Sequence, residues 1–415
     1  MNQPASEPAR CSVPEARARI LADIAPITTI ETVPVMQAPG RVLAEPVYSA
    51  VPIPPFDAAA MDGYALAHAS LAPAGESIVM PIGQALAGHP FAGMVTAGTC
   101  VRIATGAPLP AGADTVVMVE ATRTIGQGVA IATGQRQGQH CRRRGEILAA
   151  GAPALAPGVR LGPVEIGLAA SLGVTQLHVR RRPRVAVLST GDELGAPSEA
   201  GGIRDSNRPA LTVAITRMGG ELIDLGVVAD RRDQLERALR AVAGQVDVIV
   251  SSGGASVGEA DHVRAVLDQL GRVRFWQVAM KPGKPLAFGH IGDAVFFALP
   301  GNPVAAWISF LQFVRPAMSR LSGLESSGDG PAWSLPCTAA LGKQVGRTEF
   351  VPGRLFARSD TWWVQPAGRD VASLVTLAGA DCLIELDPSR GEVMPGEHVA
   401  VRRFSDLDLV PSLTG

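Results

Sequence analysis

The run Ser251-Ser252-Gly253-Gly254-Ala255-Ser256-Val257-Gly258-Glu259-Ala260-Asp261 follows an apolar stretch, Val246-Asp247-Val248-Ile249-Val250, that reads as a buried strand. Glycines and short hydroxyl side chains leave backbone N–H groups open to an anion, and Glu259 and Asp261 stand close enough to hold a cation. At the C-terminal end of a strand, with a helical pattern beginning at the acids, this is how α/β proteins bind phosphate-bearing ligands. A tight turn needs far less than this run supplies.

A second loop, Lys281-Pro282-Gly283-Lys284-Pro285, holds two lysines in a short turn between apolar flanks. Two like charges fixed together are costly unless an anion lies between them. Each charge-assisted contact to phosphate contributes about 1.5–3 kcal/mol. We pair this loop with Pro300-Gly301-Asn302-Pro303. A third loop, Ser189-Thr190-Gly191-Asp192-Glu193-Leu194, lacks G-x-G-x-x-G, which argues against a dinucleotide cofactor. Alone it reads as a Thr-Gly turn capping a helix. Ala60-Met61-Asp62-Gly63-Tyr64-Ala65 and Thr105-Gly106-Ala107-Pro108-Leu109-Pro110 also read singly as turns, and spacing does not connect either to the later loops. The histidines make no H-x-x-x-H or H-E-x-x-H pattern; only His262, beside Asp261, could lie near a ligand, against a plain helix-face reading.

These loops need a scaffold, and the second half of the chain predicts one. Strands are expected over 184–188, 221–228, 246–251, 273–278, 286–290 and 294–298. Helices are expected over 208–218, 231–242 (with Asp230 as its cap), 260–270 and 304–321. That alternation predicts a doubly wound α/β domain with ligands at its C-terminal strand ends. Residues 61–140 are β-like, with short runs at 77–82, 99–103, 115–120 and 129–133 between Gly and Pro turns. Helices are expected at 15–24 and 163–172. Arg142-Arg143-Arg144 and Arg180-Arg181-Arg182 read as solvated edges of a connector. Past a polar linker, 326–330, strands at 349–356, 361–366, 382–387 and 398–403 predict a small β barrel or sandwich.

The chain has 415 residues, enough for two to four domains. Its net charge of −1, with 18% charged residues, excludes non-specific nucleic-acid binding. Apolar residues at 47% support a large core, so the 46 Gly and 33 Pro argue for turns and not for disorder. Five scattered cysteines give neither a disulfide framework nor a zinc site, which fits a reduced cytoplasm. No signal-peptide core is expected at the N-terminus. Residues 294–314 are uncharged and of bilayer length, but Pro300-Gly301-Asn302-Pro303 cuts them, so no membrane span is expected.

Taken in order and at these separations, the motifs resemble the molybdopterin molybdenumtransferase family and its relative, the E domain of gephyrin. The resemblance covers nearly the whole chain. It rests on Pro55-Phe56-Asp57 with residues 60–65, on 105–108, 189–194, Ile203-Arg204-Asp205-Ser206-Asn207, 252–261, 281–285 and 300–304. It implies an elongated multidomain α/β plus β subunit. The parts would be a connector domain with helices (1–46 and 141–180), an inserted β domain (47–140), a molybdopterin-binding α/β domain (181–323) and a C-terminal β-barrel domain (324–415). It further implies a homodimer with an active site shared between subunits, and insertion of molybdate into adenylylated molybdopterin, on its dithiolene sulfurs, with release of AMP and dependence on Mg²⁺.

Carried onto this sequence, the resemblance makes Asp62, Glu193, Asp230, Asp261 and Lys281 catalytic positions, with Glu193 and Asp261 as metal ligands. Ser252, Gly253, Gly254 and Ser256 would cradle phosphate or pterin, and Lys284 would join Lys281 in balancing anionic charge. Thr105, Thr190, Gly191, Asp192, Asn207, Pro300, Asn302 and Pro303 complete the implied substrate contacts. The chain departs from the family at Ala58-Ala59 (usually Asn-Ser), Gln277 (often lysine), residues 368–373 (commonly Ser-Gly-rich) and Asp381 (usually Asn). The alternative reading is a non-catalytic scaffold of the same fold that holds a partner peptide. A molybdopterin adenylyltransferase is disfavoured, since that activity needs only the α/β unit.

Overall fold

Unbroken Val, Ile and Leu runs become strands covered on both faces, as a sheet flanked by helices requires. Val248–Ser252 is buried throughout, and Arg184–Thr190 is buried after its first residue. The computed structural model describes residues 9–194, 202–255, 261–324, 332–358, 360–368 and 373–407, with backbone alone for 9–10, 261–265, 275 and 407.

The central sheet has seven strands in the order Ala9–Cys11, Gly271–Val278, Pro285–Ile291, Ala294–Leu299, Val248–Ser252, Arg184–Thr190 and Glu221–Val228. All run parallel except Pro285–Ile291, which is antiparallel to both neighbours. Helices Asn207–Arg217, Arg232–Ala243, Asp261–Leu270 and Pro303–Ser309 complete the α/β unit. Arg232–Ala243 shows why it folds as it does: Leu235, Leu239 and Val242 are buried at helical spacing while its Asp, Glu and Arg residues face outward. Its N-cap is Arg231, without a side-chain capping bond, so the Asp230 cap expected from sequence is displaced by one residue. The single helix expected over 304–321 is instead Pro303–Ser309, a π-helical stretch Phe310–Val314, and Arg315–Leu321.

The N-terminal stretch, expected with the connector, begins by extending the central sheet. Ala9–Cys11 pairs with Gly271–Val278, and Val13, Ala16 and Ile20 of the helix Val13–Ala22 enter the α/β core. That helix starts where Ser12 and Glu15 form a capping box. The connector proper pairs Ile30–Pro34 with Gln176–Arg180 and Val47–Tyr48 with Pro153–Leu155, beside the helix Pro163–Ser171. The inserted unit is a six-stranded sheet running from Thr115–Met118 to Thr122–Ile125.

The C-terminal strands close into a barrel. Thr348–Arg358, Cys382–Leu386, His398–Arg403 and Trp333–Pro336 pair in turn, and a Cys337–Val364 bridge joins the end to Thr361–Pro366, itself paired with Thr348–Arg358. Met280–Lys281 adds to this sheet alongside Thr348 and Glu349. Phe350, Leu377, Leu383 and Phe404 join the α/β core, so the two units share one apolar interior. Among the described residues no helix is long and apolar enough to cross a membrane.

One ion pair fastens the connector to the central sheet. Asp247 accepts from both Arg181 Nη atoms (2.9 and 2.8 Å) and from the Arg184 N–H (2.7 Å). The basic triplet at 180–182 is therefore used, and not simply solvated. Replacing Asp247 with Ala leaves a partly buried guanidinium without its acid, and should destabilise the protein by about 2 kcal/mol. A thermal unfolding midpoint unchanged from wild type would show that this pair carries no load.

Candidate functional site

Strand order places Arg184–Thr190 second from one edge, with the next strand in the chain, Glu221–Val228, outside it and Val248–Ser252 on its inner side. That reversal is a topological switch point, the place at the C-terminal strand ends where sheets of this kind form a ligand crevice. Two glycines let the loops meet there. Gly253 has φ +94°, and a Cβ on it would lie 2.3 Å from the Thr190 carbonyl oxygen. Gly191 has φ +152°, and a Cβ there would lie 2.6 Å from Oε2 of Glu193, whose carboxylate folds back over it. Gly254 also adopts positive φ.

Asn207 ties the crevice together. Its side-chain amide donates to Ser252 Oγ and to the Gly301 carbonyl, both at 2.7 Å. Below it, Asp205 accepts from Ser189 Oγ (3.1 Å) and from the backbone and Nε of Arg208. Thr190 is 6% exposed, and its hydroxyl has no hydrogen-bond partner among the described residues. A buried hydroxyl without a partner is costly unless a ligand completes it. Of the backbone N–H groups in the glycine run, that of Gly253 is used within the fold: it donates to Leu299 O at 3.0 Å.

On the acidic flank, Asp192 Oδ1 accepts from the Asp230 backbone N–H at 3.4 Å, so the loops after Arg184–Thr190 and Glu221–Val228 are joined. Asn302 caps the helix Pro303–Ser309, its Oδ1 accepting from Ala305 N at 3.1 Å. Its side chain thus has a structural task that the motif alone did not disclose. Ser256 and Glu259 lie outside the described residues; Asp261 opens its helix, with its side chain and that of His262 also outside them.

The double-lysine turn lies at the same sheet edge as the Ser-Ser-Gly-Gly turn. Gly271–Val278 ends and antiparallel Pro285–Ile291 begins there, beside the end of Ala294–Leu299. Lys284 is exposed. Lys281 Nζ lies 3.7 Å from Oε2 of Glu349, whose Oε1 accepts from Arg347 Nε at 2.9 Å. Sequence reasoning missed Glu349 and Arg347. Their signal is an acid inside a barrel strand with an arginine two residues earlier, which no spacing links to residue 281.

Asp62 and Thr105 do find each other. The Asp62 carboxylate accepts from both the Thr105 N–H and its hydroxyl, each at 2.7 Å. These two donors hold its pKa below the ordinary 3.8. The segment before Asp62 is clamped as well. Asp57 accepts from Arg143 Nη1 (2.8 Å) and the Arg144 N–H (2.7 Å), so the first basic triplet serves as a latch. Ala58 and Ala59 pair with Cys141–Arg142 and are buried, which accounts for apolar side chains there. Ser373 caps a short helix, accepting from Val375 N at 3.3 Å. Among the described residues no three His, Cys, Asp or Glu side chains gather to hold a metal.

Comparison with known proteins agrees with this architecture. Residues 11–173 match the MoeA N-terminal region (domain I and II), 186–320 a probable molybdopterin binding domain, and 334–404 the MoeA C-terminal region (domain IV). A molybdopterin molybdenumtransferase of Haemophilus influenzae is 37% identical over 400 residues, covering 95% of this chain and 98% of that protein. Gephyrin of Dictyostelium discoideum is 33% identical, over 74% of this chain and 49% of its own length. The crystal structure of a molybdopterin biosynthesis moeA protein from Pyrococcus horikoshii superposes with a TM-score of 0.82 at 25% identity, covering 95% of this chain and 100% of that one. With three family regions in order and a relative matched end to end, this chain belongs to the molybdopterin molybdenumtransferase family.

Proposed function

We propose that this transferase of molybdenum cofactor biosynthesis takes adenylylated molybdopterin and molybdate, places molybdenum on the dithiolene sulfurs and releases AMP. The observation that carries the reading is the crevice itself. Asn207 locks Ser252 to Gly301, and the buried Thr190 hydroxyl awaits a partner beside Gly253. A phosphate-bearing ligand fits that place. Thr190, Ser252 and Gly254 would hold the phosphate, with Gly191 and Gly253 keeping the backbone close. The lysine turn would meet molybdate and the remaining phosphate charge. Arg347 binds the buried Glu349 at 2.9 Å while Lys281 stands 3.7 Å away, so Lys281 and the exposed Lys284 keep charge to offer an oxoanion.

Magnesium, proposed from the resemblance, would be held by Glu193 and Asp261 and would offset phosphate charge as AMP leaves. The described residues alone do not close a ligand set, so no step is assigned to the ion. Chelation followed by readdition of Mg²⁺ should abolish and then restore AMP release; full activity after exhaustive chelation would remove the ion from this scheme.

The direct test of the reaction is AMP release from purified chain supplied with adenylylated molybdopterin, molybdate and Mg²⁺. A folded protein that yields no AMP and no active cofactor contradicts the proposal. Within that assay, Asp62→Ala should lower turnover at least ~100-fold, the scale of an electrostatic group aimed at the transition state. Turnover near wild type would place Asp62 outside the chemistry.

Thr105→Val removes the hydroxyl donor and should raise the Asp62 pKa toward 3.8, as read by carboxyl NMR titration. The sign follows from the depressed native value. Any stability linked to Asp62 is present above the unfolded pKa of 3.8 and is lost as pH falls through the lower folded value.

The proposed homodimer shares each site between subunits, the inserted unit of one facing the α/β crevice of the other. Mixing Asp62→Ala with Asp261→Ala protein then creates one intact site in each mixed dimer, so activity should return to about a quarter of wild type. No recovery after subunit exchange would mean that each site is built from one chain.

A further inference from the structure

A cleft of about 910 Å³ lies at the other end of the central sheet from the phosphate crevice. It forms where Val248–Ser252, Gly271–Val278 and Ala294–Leu299 begin and antiparallel Pro285–Ile291 ends. Its remaining wall is the end of the helix Val13–Ala22 with the segment that follows, out to Ile27. From Arg272 to the strand end at Val278 the backbone rises about 20 Å, so no small ligand spans this cleft and the lysine turn together.

Three arginines converge here. Arg272 and Arg274 stand two apart on one strand, on the face they share with their cross-strand partners His290 and Phe288. Arg19 reaches the cleft from the helix side. All three are exposed, and among the described residues none has a carboxylate within ion-pair distance. The acids nearby are engaged elsewhere. Asp247 serves Arg181 and the Arg184 N–H, and Asp23 lies 3.5 Å from His290 Nδ1. Glu15, one turn before Arg19, accepts from the Ser12 N–H and hydroxyl at 2.8 and 2.9 Å. Of the lining acids, that leaves Asp293 to set against three guanidiniums.

Like charges gathered around one concavity repel unless an anion lies between them, and guanidinium forks match phosphate oxygens. The rest of the lining is largely apolar, with Ile24, Leu321 and the neighbouring rings of Trp276 and Phe288, whose centroids are 5.5 Å apart. The volume is that of a small-molecule site.

We propose that this cleft is a second anion site, which takes a polyphosphate chain between Arg272 and Arg274 on the sheet and Arg19 on the helix. Nucleoside triphosphates and inorganic tripolyphosphate present the same chain, and the apolar wall is where a nucleotide base would lie. The site is separate from the crevice and requires nothing of the transfer reaction.

The test titrates the full chain by calorimetry with inorganic tripolyphosphate and with ATP. Arg272→Gln/Arg274→Gln should weaken tripolyphosphate binding at least ~10-fold, and Arg19→Gln, on the opposite wall, should weaken it too. Lys281→Gln/Lys284→Gln, at the far end of the sheet, should leave one site of wild-type affinity. Tighter binding of ATP than of tripolyphosphate identifies a nucleotide as the occupant; equal affinities identify the chain alone as what is recognised. Unchanged binding in the double arginine variant overturns the proposal, as does wild-type chain that binds neither probe. An equal loss in the arginine and lysine variants marks a general charge effect and overturns it as well.

Discussion

The site depends on one side-chain amide. Asn207 donates to Ser252 Oγ and to the Gly301 carbonyl, and so fixes two loops that leave neighbouring parallel strands. Each such bond contributes only about 0.5–1.5 kcal/mol net. Their importance lies in ordering, because each loop residue held in one backbone conformation costs about 1–2 kcal/mol of entropy. Asn207 can serve because it stands at the start of the helix Asn207–Arg217, whose approach is anchored by Asp205 on Ser189 and Arg208. On the other side of Ser252, Gly253 lies so close to the Thr190 carbonyl that a methyl group cannot fit. The third loop is thereby locked without another side chain.

Much of this was readable before any coordinates. The strands of the α/β unit stand out as Val- and Ile-rich runs, and the helix Arg232–Ala243 as a regular apolar stripe, because burial imposes periods of two and 3.6 on a chain. The glycines of the Ser252 loop were legible as a close approach, although not what they approach. What stayed hidden was whatever depends on a partner outside the motif itself. Asn302 read as a substrate contact, and its motif did not show that its side chain also caps a helix. Arg143 and Arg144 read as solvent-facing charges and are exposed, but nothing in the triplet disclosed that they also hold Asp57, far back in the chain. Glu349 was not singled out at all, since its importance comes from Lys281 in another unit. The antiparallel direction of Pro285–Ile291 was equally hidden: an apolar strand has the same composition whichever way it runs.

The C-terminal barrel is more than an appended unit. Met280–Lys281 is a strand of its sheet, and Phe350, Leu377, Leu383 and Phe404 are part of the α/β core. The lysine turn therefore takes its position from both units at once. Any motion of the barrel must move Lys281 or break its pairing with Glu349, which couples the cationic turn to the cavity the two units enclose.

Strand order then sorts charge along the crevice. Moving across the edge, the lysine turn comes first, then residues 300–303, the Ser252–Gly254 segment, the Thr190–Glu193 loop, and last Asp230. Adjacent strands are about 4.8 Å apart, so cations and acids are separated by roughly 15 Å with a hydroxyl- and glycine-rich centre between them. At that distance and in partly aqueous surroundings, lysines and carboxylates attract one another by only about 1 kcal/mol or less, so they do not collapse into ion pairs across the crevice. Each flank keeps its charge for what lies between. The proposed substrate, with phosphate at its middle, would meet lysines toward one end and acids toward the other. The fold reaches that polarity by the order in which it lays its strands, with no dedicated residue to impose it.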